Sequence, residues 1–142
     1  MNERESVACV RAQVSGARVL VPLPEIRCAL PHSALKQVDA DAAPVATWNA
    51  RDLPVMFVAD ALGLDGALGP RSIVLVHERG AAALGLLVDR VGAVLWVSPE
   101  QRLPLPPSAR FAVASAVVQT DDGLFWLIEP EKFWPDAAEV RA

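Results

Sequence analysis

The stretch from Leu84 to Pro106, LGLLVDRVGAVLWVSPEQRLPLP, constrains the chain more than any other. Its first five residues form a continuous apolar run, too short for a helix of ordinary length and rich in branched side chains, as in a strand buried on both faces. Asp89-Arg90 interrupts the run, and Val91 to Val97 resumes it as a second strand. Ser98-Pro99-Glu100-Gln101 then places a capping serine, a proline at the first helical position and a glutamine at the third, the pattern that opens a short helix. Leu103-Pro104-Leu105-Pro106-Pro107 leaves as extended connector. Two adjacent strands joined by one polar break belong in a β-sheet. The stretch holds no nucleophile-base pair, metal-ligand spacing or phosphate loop.

The rest of the chain repeats this texture. Val7 to Val14 alternates, with Val10, Ala12 and Val14 on one face and Arg11 and Gln13 on the other. Ser15-Gly16 turns the chain and Ala17 to Leu23 returns, ended by Pro22 and Pro24, which cannot donate to a ladder. Glu25 to Leu30 fits either a helical turn or a bent strand. Pro31 to Pro44 is a polar loop. Short strands follow at 45–48 and 53–58, with a helical turn at 59–64. Further strands are expected at 72–77, 81–88 and 91–97, and a hairpin from 111 to 129 turns at Asp121-Asp122-Gly123. Residues 130–140 read as a C-terminal helix. Many short strands with regular turns predict an all-β barrel or sandwich. A weak internal repeat points to a duplicated small barrel. Leu23 and Glu25 follow Gly16 by seven and nine residues, and Leu87 and Asp89 follow Gly80 by the same intervals. Val19, Val21, Leu86, Val88 and Val94 are the expected interior.

Composition narrows the function. With 142 residues, 53% hydrophobic and 21% charged, the chain can build one domain with its own core. Net charge is -4, and the halves divide it evenly: residues 1–70 carry 6 Lys+Arg against 8 Asp+Glu, and residues 71–142 carry 7 against 9. No basic patch emerges by count, which disfavours nucleic acid as a partner. No apolar run approaches the roughly 20 residues needed to span a bilayer, and the charged Met1-Asn-Glu-Arg-Glu start lacks the apolar segment of a secretory leader, so a cytoplasmic protein without membrane insertion is expected. Cys9 and Cys28 are too widely spaced for a CxxC motif and read as small buried hydrophobes.

A search for chemistry returns nothing. His32 stands alone in a polar loop and His77 ends a strand beside Glu78, and neither has a second ligand at metal spacing. No GxSxG elbow, GxGxxG or Walker loop occurs. Neither a cofactor nor catalysis is expected. Glu25 and Asp89, at strand ends in the two halves, serve either as turn carboxylates or as contacts to a partner protein. Of the four tryptophans, Trp96, Trp126 and Trp134 are expected in the core. Trp48 is divided evenly between core and interface anchor.

The motifs together resemble the CheW-like domain family over about residues 8 to 134. Val14-Ser-Gly-Ala-Arg-Val-Leu-Val-Pro-Leu-Pro-Glu-Ile26 is similar to the family's opening hairpin running into Val-x-Glu-Ile. Leu53-Pro-Val-Met-Phe-Val-Ala-Asp-Ala-Leu-Gly-Leu64 looks like its Pro-Val-x-Asp-Leu strand followed by Leu-Gly. Gly85-Leu-Leu-Val-Asp-Arg-Val91 matches its Gly-x-x-Val-Asp-x-Val segment without a gap. The resemblance implies one CheW-like domain filling residues 1–142: two pseudo-symmetric five-stranded SH3-like β-barrels around a shared core, with short helical turns and a C-terminal helix. It implies a non-enzymatic adaptor linking a CheA-type histidine kinase, through its regulatory domain, to the cytoplasmic tip of a chemoreceptor or a divergent protein partner, in chemotaxis or type IV pilus motility. A small β-barrel binding module outside chemotaxis is the alternative. The partner-facing residues implied are Leu23, Glu25, Trp48, Asn49, Arg51, Leu86 and Asp89. Where the family usually has Arg-Gly, this chain has Asn49-Ala50 behind Trp48, a tryptophan familiar from variants of alternative chemosensory systems. A second alignment puts Arg51-Asp52 at that place. Phe57 replaces the family's aspartate. The receptor-facing region is thus expected to have diverged.

Overall fold

A computed structural model of the chain describes residues 6–36, 44–65, 69–105 and 113–134. Strands β1 (Val7–Val14) and β2 (Ala17–Pro22) form the opening hairpin. A 3-10 turn at Leu23–Glu25 leads to β3 (Cys28–Leu30), and another at His32–Ala34 to the two-residue β4 (Leu35–Lys36). Then come β5 (Val45–Trp48), β6 (Arg51–Phe57), the single-turn helix α1 (Val58–Ala61), β7 (Ile73–Arg79), β8 (Ala82–Val88) and β9 (Arg90–Val97). A 3-10 turn at Pro99–Gln101, the two-residue β10 (Arg102–Leu103), β11 (Ala114–Thr120), β12 (Gly123–Ile128) and a final 3-10 turn at Pro130–Phe133 complete the order.

The strands make two six-stranded sheets, ordered β10-β11-β12-β2-β1-β9 and β3-β7-β8-β6-β5-β4, and one is curled into a half-barrel. Read from β9 and from β3, the two orders correspond strand for strand. Each has a central hairpin (β1–β2, β7–β8) whose second strand pairs in parallel with an incoming strand, β12 in one sheet and β6 in the other. Each hairpin hands the strand that follows it to the opposite sheet: β3 joins β7, and β9 joins β1. The repeat of glycine turn, strand and terminal acid marks this duplication. Gly16 and Gly80 sit at φ +85 and +62, a region that glycine enters without steric cost. The strand count is six per half rather than five, because the short strands β4 and β10 extend each edge.

One core spans both sheets. Val14, Val19 and Val21 from the first meet Leu75, Leu86 and Val88 from the second, with Val58 of α1 and Ile128 and Phe133 near the end of the described chain. The predicted interior positions Val19, Val21, Leu86 and Val88 are at most 1% exposed. Val94 departs from that expectation. It is 47% exposed, because β9 is an edge strand that presents only Leu95 and Val97 to the core. Trp96 departs likewise and is 69% exposed, whereas Trp126 and Trp134 pack against the central core. The element after Pro22 resolves as a 3-10 turn and then a short strand. The expected C-terminal helix is a 3-10 turn over Pro130–Phe133, with Trp134 already extended, and residues 135–142 lie outside the described segments. The predicted capping pattern forms: the Ser98 N–H donates to Gln101 Oε1 at 2.9 Å, and Gln101 N–H donates to the Ser98 carbonyl at 3.1 Å.

Candidate partner-binding surface

The sequence-predicted site residues fall into three groups. Leu23 and Glu25 lie on the 3-10 turn after β2, where two prolines exclude a ladder strand and push both side chains outward. Leu23 is 40% exposed. The Glu25 carboxylate is half exposed and lies 3.1 Å through Oε2 from Nε2 of His77 on β7. His77 itself is buried, and its Nδ1 accepts the indole N–H of Trp134 at 2.7 Å. Glu131 lies 3.8 Å from the same Nε2 and pairs with Arg79 at 2.9 Å. Glu25 is thus neither a cap nor a free carboxylate; a buried imidazole orients it.

Trp48, Asn49 and Arg51 form the second group, at the β5–β6 hairpin. Trp48 and Arg51 are register partners, and the two residues between them sit at φ +50 and +61, the paired left-handed values of a tight hairpin turn. Trp48 is half-buried against Leu53, Val76 and Ala83. Arg51 lies over the Trp48 ring at 5.4 Å and donates to the Ala81 carbonyl at 3.0 Å, tying this hairpin to the β7–β8 turn. Through β7 the first two groups meet, since Val76 packs on Trp48 while His77 holds Glu25.

The remaining two are placed elsewhere. Leu86 is 1% exposed in the middle of β8 and offers a partner nothing, which corrects its assignment. Continuous burial on both faces of β8 removes any outward side for it. Asp89 is half-buried, and its Oδ2 accepts the Ser15 N–H at 2.6 Å, fixing the β1–β2 turn against the end of β8.

Two residues that sequence reading put inside belong to the surface. Val94 and Trp96 extend from β9, the terminal strand of its sheet. Register runs Pro22–Cys9–Leu95 across β2, β1 and β9, so Leu23 and the Val94–Trp96 pair flank one row, about two strand spacings or roughly 10 Å apart. The signal was present in Val91 to Val97: a strand needing only Leu95 and Val97 for the core has no interior use for the alternate residues.

Both ring nitrogens of His77 are engaged by Glu25 and Trp134. Burial holds the Cys9 thiol up at about 11 against a smaller opposing effect of Arg102, and burial likewise raises the Cys28 thiol, opposed by Arg27. A duplicated β-fold that leaves an apolar strand edge exposed offers a surface of the kind that protein partners use.

The CheW-like domain family matches residues 8–136, and the chain belongs to that family, whose members are non-enzymatic scaffolds of chemotaxis signalling. Among solved structures, the scaffolding protein TtCheW from Thermoanaerobacter tengcongensis shares the fold with a TM-score of 0.74 at 16% identity, over 87% of this chain and 89% of that one. No curated protein matches the chain. Among the described residues no helix is long and apolar enough to cross a membrane.

Proposed function

We propose that this chain works as a single CheW-like domain in the cytoplasm. It couples the regulatory domain of a CheA-type histidine kinase to a chemoreceptor tip, or to a divergent protein in that place. The observation that carries the reading is the exposure of Trp96 and Val94 on an edge strand within the residues that match the family. Exposed tryptophan on a strand edge is costly to leave bare and is the side chain most often found at interface hot spots. The kinase domain docks on this edge, partly by strand-to-strand contact. The second partner meets Leu23, Glu25, Trp48, Asn49 and Arg51. In this reading Leu86 and Asp89 are structural.

At the β5–β6 hairpin the short, uncharged amide of Asn49 replaces a planar guanidinium able to grip a carboxylate, so the target there is less acidic than an ordinary receptor tip. Calorimetry with the regulatory domain of the CheA-type kinase encoded nearest to this chain tests the proposal. Binding near micromolar, about -8 kcal/mol, is expected, as for exchangeable array contacts. Trp96→Ala is expected to weaken it at least about tenfold, a loss of about 1.4 kcal/mol, with the melting temperature unchanged. ATP hydrolysis by the isolated chain, or acceptance of phosphate from the kinase, would overturn it.

A further inference from the structure

Three arginines converge at the opposite end of β9, although each half of the chain is acidic by count. A cleft of about 360 Å³ is lined by Arg11 and Gln13 of β1, Arg18 of β2, Arg90, Val91 and Gly92 of β9, and Phe125 of β12. The Arg11 and Arg18 guanidinium groups lie 5.4 and 4.7 Å from the centroid of the Phe125 ring, which is 2% exposed. Asp122 at the neighbouring turn holds both: its Oδ2 pairs with Arg11 Nη2 at 3.0 Å and its main-chain carbonyl accepts from Arg18 Nη1 at 2.7 Å. Gly123 turns the chain at φ +115, and the Arg18 guanidinium lies over it where a Cβ would stand. Arg90 is exposed and has no ion pair among the described residues.

Holding the β11–β12 turn accounts for one positive charge. Three arginines around one carboxylate leave a surplus of two in a chain of net charge -4. The backbone is also unusual here. Register passes from Val10↔Val94 to Ala12↔Val91, so Gly92 and Ala93 together oppose Arg11 alone. Such a bulge bends the strand and re-aims its groups. The outer edge of β9 is unpaired among the described residues, and Val91 beside the cleft is 39% exposed.

We infer that this end of β9 is a second docking surface, taking an extended acidic segment of a protein partner. The segment lies along the β9 edge, sets a carboxylate into the arginine cleft and covers Val91 with an apolar neighbour. Each guanidinium carries five donors in a planar fork that can receive a carboxylate in two bonds; Arg11 and Arg18 each spend one nitrogen on Asp122, and Arg90 has no ion pair among the described residues. The free strand edge supplies main-chain partners to an extended chain. A nucleic acid fits poorly, because proteins that hold one by its backbone commonly neutralise about six to ten phosphates, far above this surplus. Arg90 stands six residues from Trp96, roughly 20 Å along the strand. The inference therefore goes beyond the proposed coupling face, and the two fail independently.

Fluorescence anisotropy with a labelled peptide of alternating glutamate and valine tests it, beside the same peptide carrying glutamine for glutamate. The glutamate peptide is expected to bind in the tens-of-micromolar range at about 50 mM salt and to weaken at least about tenfold at about 300 mM. Arg90→Gln, at an exposed side chain, is expected to weaken it about tenfold with an unchanged melting temperature, and Trp96→Ala to leave it unchanged. Arg18→Gln is expected to show the same loss of binding as Arg90→Gln. Equal binding of the glutamine peptide, indifference to Arg90→Gln, full displacement by millimolar inorganic phosphate, or no binding at all would overturn the inference.

Discussion

The indole N–H of Trp134 donates to Nδ1 of His77 across 2.7 Å, and His77 is only 4% exposed. That bond makes Nδ1 an acceptor and leaves the ring proton on Nε2, which donates to Glu25 Oε2 at 3.1 Å. The segment after β12, the middle of β7 and the 3-10 turn after β2 are thereby linked through one imidazole. The second ring contact agrees: His77 and Trp134 meet edge to face with centroids 5.9 Å apart.

Trp134→Phe keeps an aromatic ring and removes the donor. A buried Nδ1 left without a partner costs about 1–3 kcal/mol. A fall of several degrees in melting temperature is expected. Nitrogen NMR of His77 is expected to show the tautomer preference relaxing. A melting curve superimposable on that of the parent protein would mean that the indole N–H does not hold the ring.

Gly85 stands in the middle of β8 for a steric reason. A Cβ there would lie 2.6 Å from Val74 Cγ1 and 3.3 Å from Val55 Cγ2, since β8 is wedged between β7 and β6. Gly85→Ala is therefore expected to lose about 1–3 kcal/mol in denaturant unfolding. Gly92→Ala meets Arg11 Cβ at 3.6 Å and the Arg11 carbonyl oxygen at 3.9 Å, both ordinary contacts, and is expected to stay within about 0.5 kcal/mol of the parent. Equal losses from the two substitutions would contradict the packing argument.

Local pattern carried most of the fold to the page. The alternation of Val7 to Val14 and the apolar run into Val88 put β1 and β8 in place because burial on one face or on both leaves a different period. What pattern does not record is which sheet edge a strand occupies. Val91 to Val97 reads as buried from its composition, yet its position beside β1 and beyond every other partner turns Val94 and Trp96 outward. The same gap hid the arginine cleft. Arg11 and Arg18 share the opening hairpin, but Arg90 is more than seventy residues further on, and only the β2-β1-β9 order brings it beside them. The bonds of His77 are equally invisible to local pattern, because its partners, Glu25 and Trp134, are 52 and 57 residues away.

Ala50 carries the least favourable backbone in the β5–β6 hairpin. Its φ of +61 is left-handed, where a Cβ crowds the following carbonyl, and Asn49 beside it at +50 belongs to the type that tolerates the region. Ala50→Gly is expected to stabilise the protein by about 1 kcal/mol, raising the melting temperature by roughly 3 °C. A lower melting temperature would contradict the turn geometry.

Trp96, expected in the core, is exposed, whereas Trp48, divided between core and interface by sequence, is half-buried. Trp48 is half-buried on Leu53, Val76 and Ala83, so Trp48→Ala is expected to cost about 2–3 kcal/mol of stability besides any loss of partner affinity. Trp96→Ala removes a ring that is 69% exposed, and stability is expected to change by less than about 0.5 kcal/mol. Thermal melts of the two variants side by side decide this, and the reverse order of losses would return Trp96 to the core.

Cys9 makes the stability of the fold depend on alkaline pH. The side chain is fully buried in β1, its Sγ lies 3.8 Å from the Val7 carbonyl, and burial pushes the thiol up to about 11. In the unfolded chain a cysteine thiol titrates near 8.5. Between these values the unfolded state releases a proton that the folded state keeps, so the unfolded state binds fewer protons and stability falls as pH rises. Below about pH 8.5 both states hold the proton and the effect vanishes. Across the window the loss from this group reaches about 3 kcal/mol. Cys9→Ala is expected to be less stable than the parent at pH 7, from the lost sulfur contacts, but to show a shallower decline between about pH 8.5 and 11 in urea unfolding. Thiol labelling gives a second measurement. At pH 8 the buried Cys9 is expected to stay unmodified in the folded protein, while the partly exposed Cys28 reacts slowly because its thiol is also raised. Parallel pH slopes for Cys9→Ala and the parent, or rapid labelling of Cys9 in the folded protein, would place that thiol in contact with solvent and remove it from the β1 core.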